Sequence, residues 1–385
     1  MQARCLIKNA HLVSPGIDLV NASVEIIDGV IKAIHKTIPE GPFDGTVFDA
    51  DGSLLVPGFI DIHTHGASGH DFCDATPESL PAIARAKLKE GVTTFLPTTL
   101  TLSKELLENT FRAGQHYFEN QCFAKVAGVH VEGPFINPKC AGAQNPIHVR
   151  APDLNEINRL RELLPIKIVS LAVEMPGGIE FVERLTHTNT TASLAHTAAS
   201  FEQFTAAKNA GATHLTHFCN QMTPLHHREI GLVGAGLLDE DMLVEMICDR
   251  IHLCPEMIQL AFKVIGESRI MLITDSIAAS GLADNQRVTL GDLDVTVEDG
   301  VARLDSGALA GSTLKMNLAL RTIAEIIQRP LSQLIRTSSL NQALSLGLDG
   351  LGKIEPGYTA DLVILDQAFQ PTAVFVDGVE RLAAL

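Results

Sequence analysis

Eight short apolar runs alternate with amphipathic segments through the middle of this chain, and that alternation restricts the fold more than any other feature. The runs are Leu54 to Ile62, Thr93 to Leu100, Ala124 to Val131, Ile166 to Val173, Thr191 to Ala195, Ala212 to Thr216, Met242 to Cys248 and Ile270 to Thr274. Between them, Pro77 to Lys89, Phe201 to Ala210 and Pro255 to Ile265 carry apolar residues at helical spacing, and the first two are closed by glycine. Strand followed by helix, repeated eight times, predicts an α/β chain folded as a (β/α)8 TIM-type barrel.

The two ends have another character. Ser23 to Ile27 and Val30 to Ile34 flank Asp28-Gly29, and near the C-terminus Val374 to Val376 runs into Asp377-Gly378. Asp-Gly between alternating runs is a hairpin signal. We therefore expect a small β-sandwich domain built from both chain termini, residues 1–53 and 352–385, beside a barrel of residues 54–351. Gly281 to Gly307 breaks the alternation with turn-like pairs and reads as an inserted flap.

A formal net charge of −16 argues against a nucleic-acid track or an anionic membrane surface as partner. With 46% apolar residues there is enough for a large core, and disorder is excluded as a description of the chain. No run is long and uncharged enough to span a membrane, and Met1 to Ser14 does not read as a signal peptide. Seven scattered cysteines without a Cys-x-x-Cys pair read as reduced thiols of a cytoplasmic protein.

Barrel active sites lie at the C-terminal ends of the strands. Here the first strand ends Asp61-Ile62-His63-Thr64-His65, the third His130-Val131-Glu132, the fifth in His196, the sixth in His217 and the eighth in Asp275. One strand-end histidine is more often a hydrogen-bonded core residue than a ligand. Ligand-type side chains at five separate strand ends are another matter: four imidazoles and two carboxylates would converge on one mouth. Neutral nitrogens with anionic oxygens suit a divalent ion such as Zn²⁺.

Pro57 to Gly66, PGFIDIHTHG, resembles the first-strand motif of the amidohydrolase superfamily. His130 to Phe135, HVEGPF, resembles the corresponding element of the N-acetylglucosamine-6-phosphate deacetylase family. So do Thr216-His217 with Asn220, Pro224 to Glu229, Thr274-Asp275-Ser276 and Leu309 to Ser312. Gly357 to Leu362 is similar to a strand-return element of the wider superfamily. The resemblance implies hydrolysis of an N-acetylated amino-sugar phosphate. Glu132, His196 and His217 would be the principal metal ligands, and His63 and His65 the pair that holds a second ion in some members. Asp275 would be the catalytic acid/base. Ala143, Gln144, Asn220, Gln221, Arg228, His252, Leu309, Ala310 and Gly311 would hold the sugar phosphate. His252 would reach across a homodimer into a shared active site.

Other superfamily branches bridge two metals with a carbamylated lysine at the end of the fourth strand. Here the only lysine of that segment, Lys167, lies at its start, which leaves Glu132 as the anionic ligand. Three positions depart from the family: Gln144 where a histidine polarises the acetyl carbonyl, Gln221 in place of alanine after Asn220, and Arg250 in place of glycine before the phosphate histidine. They leave the metal chemistry intact and open the substrate: an N-acetylgalactosamine-phosphate isomer or another N-acyl sugar is the alternative. A non-catalytic assembly protein with the same barrel is the rival of a different class, disfavoured because such proteins lose ligands and every ligand position here is filled.

Overall fold

The structure is a computed structural model and describes residues 3–39 and 41–384. Its centre is parallel β-sheet with intervening helices. One sheet has the order Lys125–Val126, Val92–Pro97, Phe59–Thr64; the other runs Val129–Glu132, Ile166–Leu171, Thr191–Leu194, His214–Leu215, Leu243–Met246, Ile270–Leu272 in chain order. Both strand faces are buried, as their unbroken apolar character requires. Helices separate the strands, among them Ser79–Lys89, Lys104–Glu119, Phe201–Asn209 and Pro255–Val264. Ser103 caps the second by accepting from the Leu106 N–H, and Ser200 with Gln203 forms a reciprocal capping box on the third.

The two parallel sheets meet at both seams. On one, Asp275 N–H donates to the His63 carbonyl (2.9 Å) and His65 N–H to the Ser276 carbonyl (2.8 Å), so the first and eighth strand ends are stitched together. On the other, Thr99 N–H donates to the His130 carbonyl (3.0 Å) and Glu132 N–H to Thr99 Oγ1 (3.2 Å). The expected third strand, Ala124 to Val131, is split here. Gly128 has φ of +146°, and a Cβ on it would stand 2.7 Å from Lys167 Cγ. The break lets Lys125–Val126 pair with the second strand while Val129–Glu132 pairs with the fourth.

The first expected strand is also two elements. Leu54–Pro57 belongs to the sheet of the chain ends, and only after Gly58 does Phe59–Thr64 enter the parallel sheet. That end sheet takes Arg4–Ser14, Ile17–Ile27, Val30–His35, Thr46–Asp49 and Leu54–Pro57 from one side of the sequence and Leu362–Leu365, Pro371–Val376 and Val379–Glu380 from the other. All are hydrogen-bonded into one sheet, which curls over its own apolar face. Phe48 meets Phe375 edge-on at 5.5 Å, and the Asp28-Gly29 and Asp377-Gly378 turns touch. Ile7, Leu12, Val24, Leu55, Leu362 and Phe375 fill the space between. The segment expected as a flap is a three-stranded antiparallel sheet, Arg287–Leu290, Leu293–Glu298 and Val301–Leu304.

One buried ion network pins the seam beneath the mouth. Lys87, fully buried, donates from Nζ to Thr274 Oγ1 (2.9 Å) and lies 3.1 Å from Asp61 Oδ2 and 3.3 Å from Glu90 Oε2. Thr274 Oγ1 donates in turn to Asp61 Oδ2 at 2.6 Å. Burial alone would lower the Lys87 pKa, but Glu90 and Asp61 outweigh it and raise it above its ordinary value. First strand, first helix and eighth strand are thereby tied through one ammonium. Removing one partner of a buried pair leaves an uncompensated charge, so Lys87→Met is expected to cost about 3–5 kcal/mol of unfolding free energy in urea titration. Lys87→Arg should lose less.

Candidate metal centre and active site

The strand ends deliver their side chains to one point. His196, His217 and Asp275 each close a strand with positive φ (+44°, +32° and +50°), a conformation that non-glycine residues adopt at a cost of about 1–3 kcal/mol. It turns each side chain inward over the mouth. Glu132 sits at the centre. Its Oε1 lies 3.4 Å from His63 Nε2, 3.3 Å from His196 Nε2 and 3.0 Å from His217 Nε2; its Oε2 lies 3.4 Å from His65 Nε2. Asp275 Oδ1 is 3.3 Å from His63 Nε2 and 3.2 Å from His65 Nε2. All six are buried.

The donor chemistry fits a metal. His196 Nδ1 donates to the Cys140 carbonyl (2.8 Å), so that ring turns its Nε2 lone pair toward the carboxylate oxygens, and His63, whose Nδ1 lies 3.1 Å from Glu245 Oε2, points its Nε2 at the same oxygens. Lone pairs facing lone pairs in a buried space are satisfied only by protons or cations. The electrostatics agree. Burial works to raise Glu132, yet the imidazoles around it, His63 first, hold it well below the usual carboxylate range. Burial pushes His63 down to about 4, whereas the carboxylates overcome burial at His65 and His196 and raise both. Burial likewise opposes ionisation of Asp275, but His63 and His65 hold it at about 2. The field at the mouth favours positive charge. Two ligand groups answer to it, His63 with His65 and Glu132, and Glu132 with His196 and His217.

Above this floor lies a cavity of about 240 Å³. Of the residues expected to hold the sugar phosphate, Ala143, Gln144, Asn220, Gln221, His252, Leu309 and Gly311 line it, with Leu290 of the inserted sheet among them. Gln144 is held at both ends: Oε1 accepts from Thr101 N–H and Nε2 donates to Glu132 Oε2, each at 2.6 Å. His252 donates from Nδ1 to Asp249 Oδ2 at 2.6 Å, which leaves Nε2 for a ligand.

Four expectations need correction. His252 lines the cavity of its own chain, so its expected passage into a neighbour's site is not the geometry observed. Arg228 lines a separate hollow with Phe201, Leu225 and Ile230, its guanidinium 2.6 Å from His227 Nε2, because its loop carries it outward past the rim. Ala310 is fully buried, its N–H donating to the Ala302 carbonyl, and it supports the wall from behind. Arg250, expected beside the substrate, has φ of +68° and turns away to Glu325 Oε2 at 2.5 Å. Lys167 reaches the Leu346 carbonyl at the far end of its strand.

Sequence reasoning missed Glu245. It is a fully buried acid on Leu243–Met246, and its signal was a lone charge inside an apolar strand. Burial raises it to about 7.

The amidohydrolase family model matches residues 54–381. The chain belongs to the amidohydrolase family. Among its relatives, this amidohydrolase is 37% identical to N-acetylglucosamine-6-phosphate deacetylase of Lysinibacillus sphaericus over 92% of its own length and 94% of the relative's. It is also 37% identical to N-acetylgalactosamine-6-phosphate deacetylase of Escherichia coli O157:H7, over 92% and 93%. Among solved structures, N-acetylglucosamine-6-phosphate deacetylase of Thermotoga maritima superposes with a TM-score of 0.87 at 36% identity, covering 97% of this chain and 99% of that one. A mutant of the Mycobacterium smegmatis enzyme in complex with N-acetyl-D-glucosamine-6-phosphate gives 0.91 at 30% identity, covering 99% and 100%.

If Arg250 faces Glu325 rather than substrate, Arg250→Ala should leave KM within about twofold of wild type, since an exposed pair is worth little. A large rise in KM in steady-state kinetics would return Arg250 to the site.

Proposed function

We propose that this amidohydrolase removes the acetyl group from an N-acetylated amino-sugar phosphate, converting N-acetylglucosamine 6-phosphate to glucosamine 6-phosphate and acetate. The observation that carries the reading is the buried Glu132 carboxylate among four imidazole Nε2 atoms, with Asp275 beside it. We read the curled parallel sheets as a closed (β/α)8 barrel entered at Phe59 and running to residue 351, and the chain ends, extended past the expected boundary at residue 53 through Leu54–Pro57, with residues 352–385 as a small domain. The ligand set suits Zn²⁺, one or two ions per chain. When bound, a divalent ion polarises the amide carbonyl and lowers the pKa of water.

The chain's own groups do the rest. Asp275, ionised at neutral pH, accepts the proton of the attacking water and delivers it to the departing amine nitrogen. The Gln144 amide is oriented by Thr101 and Glu132, so its second N–H is free to meet the acetyl oxygen. Glutamine donates there without the charge a histidine could carry. Asn220 and Gln221 supply hydroxyl contacts, and His252 supplies a donor for the phosphate.

In a homodimer with a shared site, Arg228 is the residue suited to cross. It is exposed, lies outside its own cavity, and sits beside exposed Leu225 and Phe201 on an apolar lip. Seven free cysteines fit a cytoplasmic setting, and no helix among the described residues is long and apolar enough to cross a membrane. A second substrate reading, N-acetylgalactosamine 6-phosphate, is favoured by the equally similar Escherichia coli relative and by Gln144 and Gln221 lining the cavity.

The test is amine release from both N-acetyl isomers and their unphosphorylated sugars. Activity should vanish after chelation and return with Zn²⁺; full turnover by metal-free protein would sink the reading. Asp275→Asn should lower kcat by about 10²–10⁴-fold while substrate still binds, and a near-normal kcat would remove Asp275 from the mechanism. Mixing Asp275→Asn with Arg228→Ala chains should restore part of the activity in verified hybrid dimers. No recovery there would argue that each site is complete within one chain.

A further inference from the structure

Each ligand-type imidazole is steadied differently at its far nitrogen. His196 Nδ1 is held by a backbone carbonyl, while His65 Nδ1 and His217 Nδ1 are buried without a hydrogen-bond partner. His63 alone among them meets a carboxylate there, Glu245 Oε2 at 3.1 Å, and both side chains are fully buried. The other oxygen, Oε1, is buried without a partner. A strand interior of this kind is ordinarily filled by an apolar residue, and an acid in it costs stability unless something uses its oxygens. His130 does not compete for the role. Its ring stands 4.6 Å from His63, but its Nδ1 meets the Ile62 carbonyl and its Nε2 meets Ser170 Oγ. For that reason the group of His63, His130 and Glu245 supports the mouth from below and is not a third ion site, although its atoms lie close enough.

A carboxylate at Nδ1 fixes the proton on that nitrogen and leaves the Nε2 lone pair free. It also strengthens that nitrogen as a ligand, because the Nδ1–H becomes a better donor when Nε2 binds a cation. His63 Nε2 lies within 3.4 Å of His65 Nε2, Glu132 Oε1 and Asp275 Oδ1. It therefore belongs to the ligand group other than that of His196 and His217.

We propose that Glu245 is a positioning residue that makes His63 a competent ligand, so that the chain holds a second divalent ion beside the one at Glu132, His196 and His217. This rests on the metal-dependent reading above.

The experiment is the number and affinity of bound Zn²⁺ ions per chain, measured by elemental analysis across buffered free-metal concentrations. Wild type, Glu245→Gln and Glu245→Met are compared. Wild type should hold two ions. Glu245→Met should keep the tighter one and bind the second about 10–100-fold more weakly. Glu245→Gln, whose amide oxygen still accepts from Nδ1–H, should fall between them. A merely structural role for Glu245 would not weaken one ion and spare the other. Should the Met variant fail to fold, nitrogen-15 spectra of the histidines in metal-free wild type, assigned with His63→Gln, decide the matter. His63 should carry its proton on Nδ1, and a proton on Nε2 would overturn the proposal. Two ions held with equal affinity by all three proteins overturns it alone, as does a wild type that holds only one. A wild type that takes up no divalent ion removes the metal-dependent reading and this inference with it.

Discussion

A single carboxylate faces the Nε2 atoms of four histidines in the floor of the mouth, and the arrangement of the strand ends follows from it. Glu132 is buried, and a buried anion persists only where positive charge or hydrogen-bond donors surround it. The histidines come from the first, fifth and sixth strands, which must all reach the same depth for the four nitrogens to converge. The left-handed residues at three strand ends, the seam at Asp275 and His63, and the Lys87 network below are the means by which the chain holds that depth. The local backbone cost is tolerated because the surrounding structure permits no other geometry.

The convergence at the floor of the mouth was legible in the sequence because side chains at the ends of barrel strands share one mouth. His63, His65, Glu132, His196, His217 and Asp275 all arrive together. Residues carried on loops were less legible, since their direction depends on a few dihedrals that strand pattern does not fix. Arg250 is the plain case. One residue with positive φ turns the guanidinium from the substrate toward Glu325, and nothing in the flanking sequence announces it. His252 lines the cavity of its own chain and Arg228 a separate hollow for the same reason. Gly128 hid a split strand, because an apolar run reads alike with or without a break. Glu245 was visible as an acid in an apolar strand, but its partner lies 182 residues away and is joined only by folding.

The floor and the wall of the cavity stand on different kinds of element. The reacting groups stand on strands whose ends are tied by backbone hydrogen bonds, whereas Gln221, His252, Leu290 and Leu309 stand on connections and on the inserted sheet. Such an arrangement permits the cavity wall to vary while the floor stays fixed. Relatives named for two stereoisomeric substrates, equally similar to this chain, are consistent with that division.

The sheet made from both chain ends has a consequence for how the polypeptide is born. Leu54–Pro57 lies between Arg4–Ser14 and Leu362–Leu365, with Pro57 opposite Leu362. On the ribosome, the early strands emerge with that edge bare and must wait for nearly all of the remaining chain to be translated. Exposed apolar strand edges of this kind invite pairing with other nascent chains. Closure of the sheet is thus a late, long-range event in the synthesis of the chain.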